Sequence, residues 1–439
     1  MKIELLEQPF RFVTENSAEC DSETAFVLTA QNSRYLEDAK KRGAHSIIRI
    51  EDIAPLFGVE RIKIIGITGT NGKTTTASAV YSILLDLGYK AAMQGTRGFF
   101  MNDAVVEGKT LTTPSVLNTY RHIYQAVAEG CEYFVMEVSS HAIAQNRIEG
   151  LDFALRVLTN ITQDHLDYHK DLDEYIRVKN SFFKGEGKKL INRDESRANF
   201  NIKNTYTYAS ENPASYKVMA YSLNDGISVA LQHFEKIVSF HSPMHGFFNI
   251  YNLVAAIASV HRVTGRDLEE ICEEAGNFAG VSGRMEKVSE DPLVIVDFAH
   301  TPDGMAQVLN ALKEKEISVV FGAGGDRDKS KRPIMGRVAS SLAKKIYITS
   351  DNPRSEDPDE IINDILEGIE DKSSVYVDAN RRSAIEKALQ ERQDEEIVVI
   401  LGKGDETFQI VYDQKFPFDD RKVAREILQN IRPVGKKGL

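Results

Sequence analysis

One stretch near the start of the chain, residues 63–76, limits the fold more than any other feature of the sequence. An apolar, β-branched run from Lys63 to Thr68 leads into a loop with two glycines and then into Gly-Lys-Thr. Apolar residues then recur at roughly 3.6-residue spacing, which predicts a helix. A strand, a tight glycine loop and a helix N-terminus together surround phosphate oxygens with free backbone N–H groups. We therefore predict a nucleoside triphosphate site formed by Gly69, Thr70, Asn71, Gly72, Lys73, Thr74 and Thr75.

Within this site, Lys73 is expected to bridge the terminal phosphates and Thr74 to ligate Mg²⁺. The general P-loop pattern would place its first glycine at the position of Ile67, so the match is to a shorter variant, Gly-Thr-Asn-Gly-Lys-Thr. From the loop alone, a chance glycine-rich turn beside one lysine stays an open alternative.

The length and composition narrow the class of protein. A chain of 439 residues is too long for one ordinary domain and predicts about three. The net charge of −11 argues against a general nucleic-acid-binding surface. No apolar run approaches the roughly 20 residues that span a bilayer. The first residues lack a signal-peptide pattern, so we expect a cytoplasmic protein without a membrane partner.

The cysteines carry no sign of disulfide or metal chemistry. Cys20, Cys131 and Cys272 are scattered, with neither pairing nor ligand spacing. We expect them to be small buried hydrophobic residues in a reducing compartment.

The pattern along the chain predicts an α/β protein of three domains. Residues 1–60 form a small mixed N-terminal domain, with strands near 25–28 and 46–50 and a helix near 33–42. Alternating strands and helices in 61–285 predict a central P-loop-type, mostly parallel sheet with helices on both faces. Three antiparallel strands are expected near 217–221, 227–231 and 237–241. Residues 286–439 repeat the alternation and predict a Rossmann-like C-terminal domain.

Ionisable residues follow the predicted strands in both larger domains. In the central domain, Glu137 ends one buried run, and Asp164-His165 follow another near 155–160. In the C-terminal domain, polar segments begin at Asp297, Gly322, Asp351, Asp378 and Gly402. Since ligands sit at the carboxyl ends of parallel strands, each sheet is predicted to present one binding edge.

Six short segments carry a resemblance to the Mur ligases. They are 69–76 (GTNGKTTT), 136–141 (MEVSSH), 164–169 (DHLDYH), 283–286 (GRME), 297–302 (DFAHTP) and 325–329 (GDRDK). The motifs run from about residue 66 to 406, and the first 60 residues match only loosely. Within the family, the chain most resembles the branch that adds meso-diaminopimelate to the peptidoglycan stem peptide.

The resemblance implies an ATP-dependent amide-bond ligase. In this family, ATP phosphorylates a substrate carboxylate to an acyl phosphate, which an amine then attacks. Because the carboxylate and the γ-phosphate are both anions, cations must offset their repulsion. Two Mg²⁺ are expected, one held by Thr74 and Glu137 and the other by His165. Lys179 aligns with a lysine that the family carries as a CO₂-derived carbamate. These residues and Lys73 are the expected catalytic group.

Further residues match the family's binding positions. For the acceptor UDP-MurNAc-L-Ala-D-Glu they are Ser17, Thr112, Thr113, Ser139, Gln145 and Arg147. For ATP, in addition to the loop, they are Asn249, Arg284, Asp297, His300 and Lys329. For meso-diaminopimelate they are Arg327, Asp351, Asn352, Pro353, Arg354, Gly402 and Glu406, with Arg354 suited to grip the distal carboxylate that lysine lacks. Asp405 stands where the family usually has His, so its effect on Glu406 is open.

Blander interpretations remain for several of these residues. From the residues alone, Lys179 is a solvated helix lysine, Glu137 a strand-end cap and Asn352-Pro353-Arg354 a turn with an exposed arginine. His165 and His169 at i, i+4 can also be interpreted as a zinc site. Within the chemistry, the rivals are a lysine-adding or other Mur ligase and a folylpolyglutamate synthase. A rival of another class is a P-loop ATPase that drives conformational change or transport. We expect a monomer.

Overall fold

The N-terminal part of the chain forms a four-stranded sheet. The computed structural model describes residues 1–5, 8–109 and 111–431. The elements are β1 (Ile3–Glu4), β2 (Phe12–Thr14), β3 (Thr24–Leu28), α1 (Leu36–Lys41) and β4 (Ser46–Arg49). β1 is antiparallel to β2, and the other neighbours are parallel. Both predicted strands and the predicted helix are confirmed, although the helix begins late because Ser33–Tyr35 form a 3₁₀ turn.

The central sheet has eleven strands. Its first elements are β5 (Lys63–Thr68), α2 (Lys73–Asp86), β6 (Ala91–Gly95), β7 (Gly98–Met101), β8 (Ala104–Glu107), α3 (Val116–Ala128), β9 (Tyr133–Glu137), α4 (Ser140–Ala144), β10 (Phe153–Leu158) and α5 (Leu172–Ser181). Its remaining elements are β11 (Lys189–Asn192), β12 (Thr205–Ala209), β13 (Tyr216–Ser222), β14 (Ile227–His233), β15 (Lys236–Ser242), α6 (Phe247–Thr264) and α7 (Leu268–Ala275).

The order of this sheet is β15-β14-β13-β12-β11-β10-β5-β9-β6-β7-β8. The seven middle strands from β13 to β6 run parallel, and antiparallel strands extend both ends. Helices α2, α6 and α7 cover one face, and α3 and α5 cover the other. Strands covered on both faces must be apolar throughout, which explains the continuous hydrophobic runs in the sequence. The predicted mostly parallel sheet and its antiparallel patch are confirmed.

The N-terminal sheet packs on the second of these faces. Val13, Val27 and Phe57 share one core with Leu117 and Tyr120 of α3. This packing fixes the N-terminal strands beside the loop that follows β8.

The C-terminal part forms a six-stranded sheet and a small hairpin. Its elements are β16 (Glu286–Glu290), β17 (Leu293–Asp297), α8 (Pro302–Ala311), β18 (Ile317–Phe321), α9 (Lys331–Leu342), β19 (Lys345–Thr349), α10 (Pro358–Leu366), β20 (Val375–Asp378), α11 (Arg381–Glu391), β21 (Ile397–Leu401), β22 (Phe408–Val411), β23 (Gln414–Pro417) and α12 (Asp420–Asn430). The sheet order is β16-β17-β21-β18-β19-β20, with β16 antiparallel and the rest parallel. The five parallel strands each end in or just before one of the polar segments named in the sequence analysis, which confirms the predicted alternation.

Two further expectations concern cysteines and membranes. Cys20, Cys131 and Cys272 are buried and unpaired, as predicted. Across the described ranges, no helix is both long enough and apolar enough to cross a bilayer.

Candidate functional site

The carboxyl ends of the two large sheets line one cavity of about 310 Å³. The central sheet contributes the loop after β5, Glu137 at the end of β9 and the segment after β10. The C-terminal sheet contributes the segments after β17, β18, β19 and β21. The sequence-predicted residues that line this cavity are Gly69, Thr70, Asn71, Gly72, Lys73, Thr74, Thr75, Thr112, Glu137, Ser139, His165, Lys179, Arg284, His300, Arg327, Asp351, Asn352, Arg354, Gly402 and Glu406.

The loop after β5 holds its shape through its glycines. Gly69 has φ of +153°, and a β-carbon there would lie 1.8 Å from the Thr159 hydroxyl. Gly72 has φ of +82° and begins α2 without a side-chain cap. The first N–H groups of α2 are therefore available to an anion such as phosphate.

Two lysines converge on one backbone carbonyl of this loop. Lys73 Nζ donates to the carbonyl oxygens of Gly69 and Thr70, both at 2.8 Å. Lys179 Nζ donates to the same Gly69 oxygen at 2.7 Å. Burial lowers the pKa of Lys73. Among the described residues, no carboxylate forms an ion pair with Lys73 or Lys179, so the carbonyl contacts of both can give way when a ligand arrives.

Lys179 is not a solvated lysine. Asp171 caps α5 by accepting a hydrogen bond from Glu174 N at 2.8 Å, and the helix then carries Lys179 inward to 1% exposure. Its ammonium lies 4.9 Å from the centre of the Tyr175 ring. Burial lowers the pKa of Lys179 far below its ordinary value, and the nearby Lys73 lowers it further. An amine in this setting gives up its proton readily and becomes a nucleophile.

Glu137 is surrounded by hydroxyl groups. Its Oε2 accepts hydrogen bonds from Thr74 Oγ1 at 2.9 Å and from Thr96 Oγ1 at 3.2 Å, and its Oε1 accepts one from Thr96 N at 2.9 Å. A carboxylate and hydroxyls are hard oxygen donors, which suit Mg²⁺. The residues present therefore fit a magnesium ion, with phosphate oxygens and water to complete its coordination. In the described part of the chain, no three His, Cys, Asp or Glu side chains converge as metal ligands.

The segment after β10 brings histidines together without forming a zinc site. His165 Nε2 lies 3.4 Å from Asp164 Oδ2, and burial lowers the pKa of His165 to about 3. His169 is buried, and its Nε2 lies 3.0 Å from Ser140 Oγ. His141 packs edge-on against His165, with ring centres 4.8 Å apart. Since His169 is engaged with Ser140, the i, i+4 pair does not form a ready metal site.

A second cavity of about 800 Å³ adjoins the first on the side of α6 and α8. Asn249, Arg284 and Asp297 line it, together with Asn71, Gly72 and Thr75 of the loop. The Asp297 carboxylate accepts hydrogen bonds from Met285 N at 2.7 Å and from Ala299 N at 2.6 Å, and burial raises its pKa. The neighbourhood of the phosphate loop makes this cavity suitable for the rest of a nucleotide.

Arg284 lines both cavities, and His300 lines the first. The His300 ring Nδ1 donates to the Phe298 carbonyl at 3.0 Å, and burial lowers its pKa to about 4, so the ring is neutral at pH 7. The Arg284 guanidinium lies over the Phe298 ring, 4.4 Å from its centre.

Lys329, which is expected to contact ATP, is outside the lining of the main cavity in this structure. Its side chain is exposed, and its Nζ lies 2.9 Å from Glu356 Oε2. Lys331, two residues later and buried, lines the cavity instead, with its Nζ 4.0 Å from Asp164 Oδ1. Helix α9 begins at Lys331, whose side chain lines the cavity, whereas Lys329 precedes the helix.

Hydrogen bonds connect several of the residues that are predicted to bind the acceptor. Thr113 Oγ1 donates to the Glu137 carbonyl at 2.9 Å and accepts from Ser139 N at 3.0 Å. Arg147 Nη1 donates to the Thr113 carbonyl at 2.8 Å, and its Nε donates to Gln145 Oε1 at 2.9 Å. Thr112 Oγ1 lies 3.1 Å from Thr96 Oγ1.

A third cavity, of about 300 Å³, lies where the N-terminal sheet meets the central domain. Gln145 and Arg147 line it together with Glu15, Gln31 and Asn32 of the N-terminal part. Gln31 Nε2 donates to the Gln145 carbonyl at 2.8 Å, which ties the two parts together. Ser17, the N-terminal residue chosen from the sequence, is buried in a 3₁₀ turn. Its side chain forms a hydrogen bond with Asp38.

Two arginines mark the opposite wall of the main cavity. Arg354 adopts φ of +52°, and its Nη1 donates to the Gly325 carbonyl at 2.6 Å. Burial lowers the pKa of Arg354, and the neighbouring Arg327 adds to this shift. Asp351 and Glu406 line the same cavity and act on Arg354 electrostatically, and the two guanidinium groups together can receive an anionic group of a ligand. Arg354 is therefore not an exposed turn residue.

The other residues predicted to bind diaminopimelate lie on or behind the same wall as Arg327 and Arg354. Asn352 Nδ2 donates to Glu406 Oε2 at 2.9 Å. At Gly402, φ is +113°, and a β-carbon would lie 2.5 Å from Asp351 Oδ2, so glycine lets the loop pass this carboxylate. Pro353 is buried, and its carbonyl closes against Gly325 rather than facing the cavity.

Contacts across the cleft join the two large domains. Asn71 Nδ2 donates to Asp303 Oδ2 at 2.8 Å, which links the phosphate loop to the start of α8. Lys109 Nζ lies 2.8 Å from Asp405 Oδ1, which links the loop before Thr112 to the loop after β21. Asp405 therefore carries a cross-domain ion pair at the position where the sequence departs from the family pattern.

The residues of this site that sequence reasoning missed include Gln31, Thr96, Asp303, Lys331 and Lys403. Asp303 and Lys331 lie in or beside quoted motifs, so their closeness to those motifs was an available signal. Gln31 and Lys403 act through contacts that form only after folding. Lys403 lies in the polar segment that begins at Gly402, whereas no sequence pattern marked Gln31.

Three comparisons with known proteins agree with this geometry. Residues 67–260 match the model described as Mur ligase middle domain, and residues 283–404 match the one described as Mur ligase, glutamate ligase domain. A Wolinella succinogenes protein named UDP-N-acetylmuramoyl-L-alanyl-D-glutamate–2,6-diaminopimelate ligase is 52% identical over 99% of this chain and 100% of its own length.

Solved structures give the same fold. A structure of a ligase with that same name superposes with a TM-score of 0.68 at 29% identity, covering 98% of this chain and 97% of the other. A Mycobacterium tuberculosis folylpolyglutamate synthase superposes with a TM-score of 0.65 over 87% of this chain and 95% of its own, at 18% identity, which shows likeness of fold alone.

Proposed function

This chain belongs to the Mur ligase family, and we propose that it joins meso-diaminopimelate to UDP-MurNAc-L-Ala-D-Glu, with conversion of ATP to ADP and phosphate. One observation carries the proposal. The phosphate loop with Glu137 and the arginine pair Arg327 and Arg354 face each other across a single cavity of about 310 Å³. A phosphoryl donor, an acid and an amino acid with an extra carboxylate can therefore meet there.

The central domain's part is to hold the phosphates. The N-terminus of α2 and the loop N–H groups receive the phosphate oxygens, and Lys73 exchanges its two carbonyl partners for the terminal phosphates. Asn249, Arg284, Asp297 and His300 surround the rest of the nucleotide. The contact of Asn71 with Asp303 keeps the C-terminal domain over this loop.

Members of this family use ATP and magnesium. We propose that Thr74 and Glu137 hold one Mg²⁺ and His165 a second. Bound there, the ions supply positive charge that offsets the repulsion between the acceptor carboxylate and the γ-phosphate. Thr96 orients Glu137 for this role through both of the carboxylate oxygens.

Lys179 is proposed to act as its carbamate. The side chain is 1% exposed, and burial favours its neutral amine. In the modification, the amine nitrogen forms a bond to the carbon of CO₂ and loses a proton, which leaves a carboxylate-like group. A buried anion at this point attracts cations, whereas an ammonium would repel a metal ion and Lys73.

The acceptor is proposed to lie along Thr112, Thr113, Ser139, Gln145 and Arg147. The cavity at Glu15, Gln31 and Asn32 continues this line towards the N-terminal sheet and offers amide and carboxylate groups to the nucleotide end. Ser17, which matches a family position for the acceptor, forms a hydrogen bond with Asp38 and is outside the lining of this cavity.

Diaminopimelate is proposed to bind the opposite wall. Its distal carboxylate lies between Arg327 and Arg354, and its ammonium near Asp351, Asn352 and Glu406. Lysine lacks that carboxylate and would leave a half-buried arginine unpaired, which disfavours it by about 2–5 kcal/mol.

A coupled assay tests this proposal. Phosphate release and the product mass are measured with ATP alone, with each co-substrate singly and with both. We expect release to require both UDP-MurNAc-L-Ala-D-Glu and meso-diaminopimelate. Turnover with ATP alone would instead indicate a P-loop ATPase switch. Equal kcat/KM for lysine would remove the specificity claim, and turnover with folate and glutamate would indicate a folylpolyglutamate synthase.

A further inference from the structure

The loop after β21 contains a fully buried lysine with no role in the account so far. Lys403 is 0% exposed and lies behind the cavity wall, not on it. The flanking glycines adopt φ of +113° at Gly402 and +53° at Gly404. This backbone turns the loop back on itself, and Glu406 N donates to the Lys403 carbonyl at 2.9 Å.

The Lys403 ammonium holds two residues of the diaminopimelate wall at once. Its Nζ donates to Asn352 Oδ1 at 3.1 Å and to Glu406 Oε2 at 3.0 Å. Asn352 Oδ1 also accepts from Ile410 N at 2.9 Å. Two donors on the same oxygen fix the orientation of the amide, so that Asn352 Nδ2 must point to Glu406.

This arrangement settles what Glu406 offers to a ligand. Among the described residues, both side-chain hydrogen bonds that Glu406 accepts end on Oε2, from Lys403 Nζ and Asn352 Nδ2. Oε1 is left for a ligand in the cavity. Without Lys403, the amide is free to turn, and the Glu406 carboxylate is drawn towards Arg354, whose charge it already faces.

We propose that Lys403 is a positioning residue that sets the preference for diaminopimelate over lysine. It holds Glu406 away from the arginine pair and turned towards the ligand's ammonium. The arginines then stay open to the distal carboxylate. This inference rests on the proposed function, since it concerns the same amino-acid site.

The test compares Lys403→Met with wild type and with a matched control. Lys189→Met removes another fully buried lysine, whose Nζ bonds the Gly187 and Lys203 carbonyls in the central domain. For Lys403→Met we expect KM for meso-diaminopimelate to rise about tenfold or more, because hydrogen bonds to a charged group are lost. The KM values for ATP and the acceptor should stay within about twofold, and the preference over lysine should fall. Lys189→Met should change none of these ratios.

A second variant covers failure to fold. Lys403→Met/Glu406→Gln removes the cation together with its carboxylate partner, so no unpaired charge stays buried. Its KM for diaminopimelate should equal that of Glu406→Gln within about twofold. A further tenfold rise would show that Lys403 does not act through Glu406.

The outcomes separate the two claims. If the wild type does not require diaminopimelate, the proposed function fails and this inference fails with it. If the wild type requires diaminopimelate but folded Lys403→Met keeps its KM and its preference over lysine, the role of Lys403 alone is wrong.

Discussion

The two walls of the cavity are built differently. On the central wall, Lys73 and Lys179 rest on backbone carbonyls, with Gly69 as their shared partner. On the C-terminal wall, Lys403, Asn352 and Glu406 bond one another through their side chains. Lys73 can exchange its neutral carbonyl acceptors for a phosphate anion, and Lys179 is proposed to leave its carbonyl when it becomes a carbamate. Lys403, Asn352 and Glu406 are already held in place by hydrogen bonds among their own side chains.

This difference suits two tasks. Phosphoryl transfer needs cations that follow the charge as it moves from ATP to the acyl phosphate. Choosing between two similar amino acids needs a rigid site whose polar groups are left unpaired by the wrong one. We infer that the central wall carries the chemistry and the C-terminal wall the selection.

The largest expected effect tests the central wall. Lys179→Ala removes the proposed carbamate and should lower kcat about 10²–10³-fold or more, the usual range for loss of a preorganised electrostatic group. Bicarbonate or a small carboxylate such as acetate should restore part of the activity. Steady-state rates with and without these anions provide the measurement. Lys189→Ala serves as the control, and undiminished activity in Lys179→Ala would refute the assignment.

The second effect tests the C-terminal wall. Arg354→Ala should reduce the preference for diaminopimelate over lysine by about 2–5 kcal/mol, since the distal carboxylate loses a guanidinium partner. The ratio of kcat/KM for the two amino acids measures this. Arg337, exposed on α9, offers a control whose change to Ala should leave the ratio as it was. An unchanged ratio in Arg354→Ala would mean that selection lies elsewhere.

Most of the strands in the two sheets that form these walls could be predicted from the sequence. The bounds of β18, β19 and β21 follow directly from β-branched apolar runs that end in glycine or charged residues. The β7–β8 hairpin was missed because β8 is largely exposed and has no alternating apolar pattern. β11 was missed because it is short, begins with a buried lysine and ends with a buried asparagine.

At the site, the motifs identified residues that line the cavity more readily than residues that hold those side chains in place. Glu137 and Arg354 lie at strand ends, where position alone suggests function. Gln31 could not be found in this way, because its partner Gln145 is 114 residues away. Lys403 lies close to Glu406 in the sequence, but its bond to Asn352, 51 residues away, forms only in the folded chain. Lys329 was chosen for its motif, but Glu356 holds it outside the cavity.

Acid should weaken the central domain before the C-terminal one. Eight of the ten histidines lie in residues 61–285. Burial lowers the pKa of His122 from 6.5 to about 4, although Glu107 opposes this shift. The unfolded chain therefore takes up the proton first. The stability due to neutral His122 is complete above about pH 6.5 and is lost as the pH falls towards 4.

The His122 effect is at most about 3 kcal/mol in the free energy of unfolding. Urea titrations followed by circular dichroism at pH 7.5, 5.5 and 4.5 measure it. His122→Gln cannot take up a proton and should flatten this pH dependence. The same slope in both proteins would contradict the assignment.

The smallest effect concerns the contact between the walls. Lys109 and Asp405 are partly exposed, and such pairs contribute about 0.2–1 kcal/mol. Asp405→Asn should raise KM for the acceptor and for diaminopimelate about twofold at low salt and have no effect at high salt. Glu426→Gln, which removes a comparable exposed pair with Arg382, should have no such effect. If the Asp405→Asn effect does not depend on salt, the ion pair is not its cause.

The most direct test of the shared cavity follows an oxygen atom. The acceptor's D-glutamate carboxylate is labelled with ¹⁸O, and the phosphate released during turnover is analysed by mass spectrometry. If the γ-phosphoryl group of ATP meets that carboxylate between the two walls, each phosphate should carry one ¹⁸O when diaminopimelate is added. Unlabelled phosphate would contradict the account, because ATP would then be hydrolysed without ever contacting the acid.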